Sequence, residues 1–344
     1  KGTPRGTQKE PKESTMLLVT GSAGHLGEAL LRDSQAKGLP ARGLDQKASA
    51  YTDLEGDIAD PAVLERAFDG VTQVIHTATL HKPHVVTHSR QAFVHTNIEG
   101  TLALLEKAAE CGVNAFVHIS TTSVFGRAMR PRPGEPAVWV TEALSPVHKN
   151  IFGVTKSAGE DLCQLMHEKT GLPVLVLRTS RFFPEVDDDA ERRGVMPDAA
   201  LKILEFLHRR VAIEDIVTAV HQALEHAPKQ GFDRYIISAP TPFEAKDAPR
   251  VANDLPALLQ EKAPELAAAF VQNGWALPQG LDRVYDSRKA QRGLGWAPTQ
   301  SAEAALKRYL DTGDWRGPLA VAVGKKPYHD QVFEDGPFPV EADR

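Results

Sequence analysis

The stretch LLVTGSAGHLGEALL, Leu17 to Leu31, constrains this chain more than any other. An apolar run passes through Gly21, Gly24 and Gly27 directly into a helical pattern, which is the join of a first strand to a first helix. Glycines at such a join permit a tight turn, let backbone N–H groups approach a pyrophosphate, and allow the helix to pack close to the strand. The helix then turns its positive dipole end toward the phosphate. An acid belongs roughly 20 residues further on, bonded to the adenosine ribose hydroxyls, and Asp45 closes the run ARGLD at that interval. A carboxylate there repels a 2′-phosphate, so NAD is expected over NADP, although Arg42 and Lys47 lie close; the plainer reading of Asp45 is a turn cap. The run EGDIAD supplies a second acid, Asp57.

From Met16, which reads as a native start, short apolar runs alternate with helical patterns as far as PVLVLRTS. That alternation implies right-handed crossovers and a parallel sheet covered on both faces, a doubly wound Rossmann-type α/β fold. Residues 16–180 are assigned to it. Residues 181–318 are expected to form mainly a smaller substrate-binding lobe, with segments that return to the sheet. Residues 319–344, rich in Pro, Gly and charge, read as a tail wrapped loosely over the surface. Residues 1–15 are polar and basic, and read as an exogenous remnant or a disordered tail.

At 344 residues and 42% hydrophobic the chain has enough apolar material for a substantial core. A net charge of -5 gives no electrostatic reason for nucleic acid or an anionic membrane as partner. No segment approaches the roughly 20 apolar residues of a membrane span. Two cysteines, Cys111 and Cys163, are too few for a disulfide framework, so a cytoplasmic location is expected.

With these residues in view the chain resembles the extended short-chain dehydrogenase/reductase family, which includes nucleotide-sugar epimerases and dehydratases. Gly21-Ser22-Ala23-Gly24-His25-Leu26-Gly27 after Thr20 matches the family's TGxxGxxG loop. Asp57-Ile58 matches the pair that holds the adenine, and His76-Thr77-Ala78 matches the strand end beside the cofactor. Asn97-Ile98-Glu99-Gly100-Thr101 matches an Asn-x-x-Gly-Thr helix motif, and Ser120 to Gly126 resembles the strand that carries the catalytic Ser or Thr, which by position is Thr121. Asp286 to Lys289 with Leu294-Gly295-Trp296 resembles the C-terminal signature. The resemblance implies NAD as cofactor, Ser180 near it, Thr122 and Ser123 near substrate, a small sugar or sugar derivative as substrate, and a homodimer formed through the helices that hold Asn97 and Phe152.

In this family a Tyr-x-x-x-Lys pair moves the proton. A free phenol titrates near 10, and an adjacent ammonium favours its ionised form. Lys156 stands in the Lys position, but the Tyr position holds Phe152 in NIFGVTKSAGE. Three explanations stay open. An engineered Tyr-to-Phe replacement would trap an otherwise competent enzyme with little change in packing. A natural protein could bind NAD without catalysis, as a regulatory module. A third route gives the proton to another group, His148 being one helical turn earlier.

Between Ile75 and Thr96 lie five histidines, His76, His81, His84, His88 and His95. Pro83 disfavours a regular helix between His81 and His84, and no compact Cys or carboxylate set adjoins them, so no metal is expected. His81, Lys82 and His84 are instead expected at the mouth of a substrate pocket. Family dehydratases place Asp-Glu after the catalytic Thr; Thr122 and Ser123 here disfavour dehydration. Arg181, in RTSRFFPEVDDD, is suited to bind a substrate carboxylate or phosphate, or else to pair with the acids that follow it.

Overall fold

The computed structural model describes residues 15–187, 189–329, 331–334 and 336–340. The expectation for residues 1–15 therefore lies outside the described residues except at Thr15, and Asp188 of the acidic run lies outside them too.

Seven parallel strands form one sheet in the order β3-β2-β1-β4-β5-β7-β8. They are β1 (Met16–Thr20), β2 (Ala41–Asp45), β3 (Leu54–Glu55), β4 (Val71–His76), β5 (Ala115–Thr121), β7 (Val174–Thr179) and β8 (Phe232–Ile237). Successive side chains in a strand point to opposite faces, and both faces here are apolar, as expected of a sheet covered on both sides. Leu17, Val19, Ile75, Val117 and Leu175 enter one core. Leu18, Val74, Phe116, Val174 and Val176 enter the other. The first core is closed by α1 (His25–Ala36), α8 (Ile213–Gln230), α12 (Arg288–Leu294) and α14 (Pro318–Val323). The second is closed by α2 (Pro61–Ala67), α4 (Gly100–Glu110) and α5 (Ile151–Thr170).

A third core, separate from the sheet, gathers Ala137, Met196, α7 (Asp198–Phe206) and the helices α9 (Ala248–Asn253), α10 (Leu255–Lys262), α11 (Pro264–Gln272) and α13 (Ala302–Thr312). The short α6 (Ala190–Val195) leads into it. A two-stranded parallel sheet, β6 (Val138–Val140) with β9 (Arg283–Tyr285), borders this core and pairs Trp139 with Val284. Residues 213–237 pack on or within the main sheet, whereas residues 137–140 of the first half belong to the smaller lobe.

The helical pattern from Gln91 to Cys111 is interrupted. A short α3 (Arg90–Val94) passes through a π turn at His95–Glu99 before α4 resumes. A π turn spends an extra residue and re-aims the side chains around it, and here it directs Asn97 inward, where that residue is buried. Among the described residues no helix is long and apolar enough to cross a membrane.

Candidate active site

The glycine turn is built by steric necessity. Gly21 has φ +75°, and a Cβ on it would stand 2.5 Å from Thr77 Oγ1 and 2.7 Å from the Ala78 nitrogen. A Cβ on Gly27 would stand 2.0 Å from the Gly21 carbonyl oxygen, so only glycine lets α1 lie this close to its strand. Gly24 caps α1 without a side chain that could accept from the first helical amides, which leaves them available to an anion. Asp45, at the end of the adjacent β2, accepts from the Ala23 amide at 3.0 Å and from the Lys47 amide at 2.9 Å. The turn's glycines, its open helix end and the carboxylate beside it fit a dinucleotide. In the adenine position, Asp57 bonds the Ala59 amide, Gln46 and His95. Ile58 is buried under Gly100, where a Cβ would come within 2.7 Å of the Ile58 Cδ1.

Behind the turn a closed polar chain fixes β4. Thr101 Oγ1 donates to the Asn97 carbonyl at 2.8 Å, so its contact with His76 Nε2 at 2.9 Å must be donated by the imidazole. His76 Nδ1 then accepts from Thr20 Oγ1 at 2.8 Å, and the ring is neutral in one defined tautomer. Burial, reinforced by Lys156, holds His76 well below the usual imidazole range. Thr77 Oγ1 donates to the Thr20 carbonyl. The Asn97 carboxamide is satisfied in full: Oδ1 accepts from Thr79 Oγ1 and the Leu80 amide, and Nδ2 donates to the Leu80 carbonyl and Thr155 Oγ1.

Helix α5 starts at an Asn150 cap, whose side chain accepts from the Gly153 amide, and it packs on β5 and on the turn Thr122–Phe125. This brings Phe152, Lys156, Thr121, Thr122 and Ser123 into one region. Lys156 is buried; its Nζ donates to the Ile119 carbonyl at 2.8 Å and to His118 Nε2 at 3.2 Å. Burial lowers it to about 8 against the opposing pull of Glu160. His118, which nothing in the sequence singles out, is buried and held neutral by burial and then by Lys156. Phe152 is buried one helical turn before Lys156. Thr121 Oγ1 accepts from the Ser123 amide at 3.1 Å, and Ser180 is buried just beyond β7. His148 donates from Nδ1 to the Val124 carbonyl at 3.1 Å. A buried ion pair of Arg178 and Glu160, joined by Ser120, braces β5, β7 and α5 from behind.

The wall facing Phe152 is aromatic. His81 lies T-shaped to Phe152 at 6.5 Å, stacks on Phe183 at 5.4 Å, and meets His84 at 4.9 Å and Tyr328 at 5.1 Å. The segment Lys82–His84 forms a single 3-10 turn, and the His81 amide donates to His84 Nδ1. Tyr328 comes from the C-terminal segment, which is thus packed against the site, a contact with no local signature in its residues. Arg181 pairs with Asp187 at 2.6 Å and with Glu205 at 3.2 Å, the pairing that was the alternative to a substrate contact. Burial alone would raise Glu205, but Arg210 and then Arg181 hold it down at about 2. Among the described residues no group of three or more His, Cys, Asp or Glu is disposed to hold a metal ion. Beside the start of α5 opens a cleft of about 600 Å³ lined by Val85, His88, Ser89, Arg90, Lys149, Asn150 and Ile151.

Comparison with known proteins agrees with this geometry. Residues 17–237 match the model of the NAD dependent epimerase/dehydratase family. The chain is 29% identical over 349 residues to a dTDP-glucose 4,6-dehydratase of Streptomyces griseus, an alignment covering 90% of this chain and 98% of the relative. It is 26% identical over 337 residues to UDP-glucuronate 4-epimerase 3 of Arabidopsis thaliana, covering 85% and 75%. Among solved structures, a UDP-glucuronic acid 4-epimerase from Bacillus cereus in complex with NAD superposes with TM-score 0.59 at 23% identity, over 88% of this chain and all of the other, and so shares the fold. A family match over most of the sheet, on a glycine turn and helix end shaped for a dinucleotide, assigns the chain to the NAD-dependent epimerase/dehydratase family.

Proposed function

We propose that this chain is an NAD-dependent epimerase or dehydrogenase of a sugar, free or nucleotide-linked, in a form made nearly inactive by Phe152. The observation that carries the reading is Phe152 buried one turn before Lys156 on α5, where the family has its phenol. In this reading Gly21 to Gly27, Asp45, Asp57, Ile58, His76 to Ala78, Lys156 and Ser180 hold NAD, which supplies the hydride acceptor. Thr121 bonds the reacting hydroxyl, Asn97 holds the loop after β4 in place, and His81, His84, Thr122 and Ser123 line the substrate's surroundings. Arg181 serves the substrate only from within its pair with Asp187.

The relatives named for dTDP-glucose and UDP-glucuronate support a nucleotide-linked sugar. Thr122 and Ser123 lack the acid–base capacity that eliminating water requires, which argues against a dehydratase. We further propose a cytoplasmic homodimer formed through the helices of Asn97 and Phe152. The second reading is a non-catalytic NAD-binding regulatory module, which the absence of a phenol at position 152 favours.

Phe152→Tyr separates the two. A general acid–base group contributes about 10² to 10⁴ in rate, so the variant is expected to gain that much in nicotinamide reduction or sugar interconversion across a panel of free and nucleotide-linked sugars. A folded, NAD-binding variant that gains nothing would favour the regulatory module.

A further inference from the structure

We infer that the segment from Gly324 to His329, with Phe338 packed behind it, forms a latch over the dinucleotide site and slows exchange of the cofactor. The inference rests on the reading above.

The latch is rooted in α14, whose Leu319 and Ala320 amides both donate to Glu214 Oε1 on α8 at 3.1 Å, and whose Val323 enters the sheet's first core. From there the chain crosses the carboxyl ends of β1, β4 and β7, the edge of an open α/β sheet at which ligands bind. It is fastened to each. Lys326 Nζ bonds Glu28 in the first turn of α1, and the Lys326 amide donates to Glu185 Oε1 at 3.1 Å. The Tyr328 hydroxyl donates to Glu185 Oε2 at 3.0 Å. That same Glu185, in the loop after β7, is bonded at 2.8 Å to His25 of the glycine turn. His329 Nε2 donates to the Pro83 carbonyl at 3.0 Å in the loop after β4. Phe338, buried, packs on Tyr328 with ring centres 5.8 Å apart. One carboxylate thus ties the glycine turn, the β7 loop and the C-terminal segment together, and Tyr328 reaches the wall opposite Phe152 through His81.

A dinucleotide seated on the glycine turn leaves only after this set of contacts opens. Lys326, Tyr328 and His329 would therefore set the rate at which a bound cofactor is exchanged, without touching the reacting groups themselves.

The test uses the full chain with Phe152 in place, so that release is measured without turnover. Protein loaded with NADH is chased with excess NAD, and loss of the bound nicotinamide fluorescence is followed. Lys326→Ala/Tyr328→Phe, which removes two fastenings and keeps the ring, and a chain ending at Gly324 are each expected to release NADH about 100-fold faster. The unaltered chain is expected to keep its cofactor through dialysis. Equal release rates in the unaltered chain and a folded Lys326→Ala/Tyr328→Phe variant overturn the latch. An inactive Phe152→Tyr variant with latch-dependent release would instead count against the sugar enzyme while leaving the latch standing.

Discussion

Asn97 offers a sharp test of how the site is held, because all four of its side-chain hydrogen bonds are assigned. Asn97→Ala removes the acceptor of the Leu80 amide and of Thr79 Oγ1, and the donor to the Leu80 carbonyl and Thr155 Oγ1. The losses are unequal. Thr79 Oγ1 retains the Leu80 carbonyl at 3.0 Å, and Thr155 Oγ1 retains the Ile151 carbonyl at 2.9 Å. The Leu80 amide is the group left stranded. An unsatisfied donor costs about 1–3 kcal/mol, and the three other bonds lost add about 0.5–1.5 kcal/mol each, so a total of about 2.5–7.5 kcal/mol is expected, toward the low end because Thr79 and Thr155 keep other partners. Guanidinium unfolding followed by tryptophan fluorescence measures the total, and amide exchange at Leu80 locates it. Protection there should fall by about two orders of magnitude while amides in β7 keep theirs. A stability loss under about 0.5 kcal/mol would refute the accounting. So would a larger loss with Leu80 still protected, since the strain would then have gone elsewhere.

Asp45→Ser is expected to weaken NAD about tenfold and to relax its preference over NADP, since the carboxylate both holds the Ala23 amide and opposes a 2′-phosphate. Calorimetry with both cofactors checks this, and an unchanged ratio removes Asp45 from that role. Burial, then His88 and His329, lowers His84 to about 4, below the roughly 6.5 of a solvated imidazole. The charged and titratable groups around it are Lys47, His81, His88, Tyr328 and His329; a hydrogen bond to the Tyr328 backbone favours its protonation, and burial with the neighbouring cations outweighs it. A depressed His binds fewer protons when docked, so its contribution to docking is complete above about pH 6.5 and is lost as the pH falls toward about 4. Hydrogen exchange of residues 325–329, corrected for intrinsic rates, should therefore show less protection at pH 4.5 than at pH 7. Equal protection would mean that His84 does not couple to the latch.

The glycine turn, the alternating sheet and the position of Asp45 were legible because their causes are local. A turn that needs φ > 0, or a strand buried on both faces, is written in consecutive residues. The π turn at Asn97 was not, since one extra residue in a helix leaves the apolar pattern on either side almost intact. Val138-Trp139-Val140 carries no strand signal, because three residues have no usable period and their partner strand lies in the last quarter of the chain. The acids after Arg181 could be noticed, but Glu205, which shares that pair, is brought there only by the fold. The packing of Tyr328 on His81 had no local signal at all. Aromatic residues in a segment rich in Pro and Gly look like surface until the segment's root on α8 is known.

The pairing of β6 with β9 has a temporal side. Trp139 leaves the ribosome long before Val284 exists to pair with it. At roughly 5–20 residues per second the wait is on the order of ten seconds, ample time for the sheet's first strands to assemble. A fragment stopped at Ser180 would carry this short strand without the strand it pairs with. The smaller lobe is therefore sewn into the larger one from both ends of the message, and exchanging it between relatives requires moving two separate pieces of gene at once.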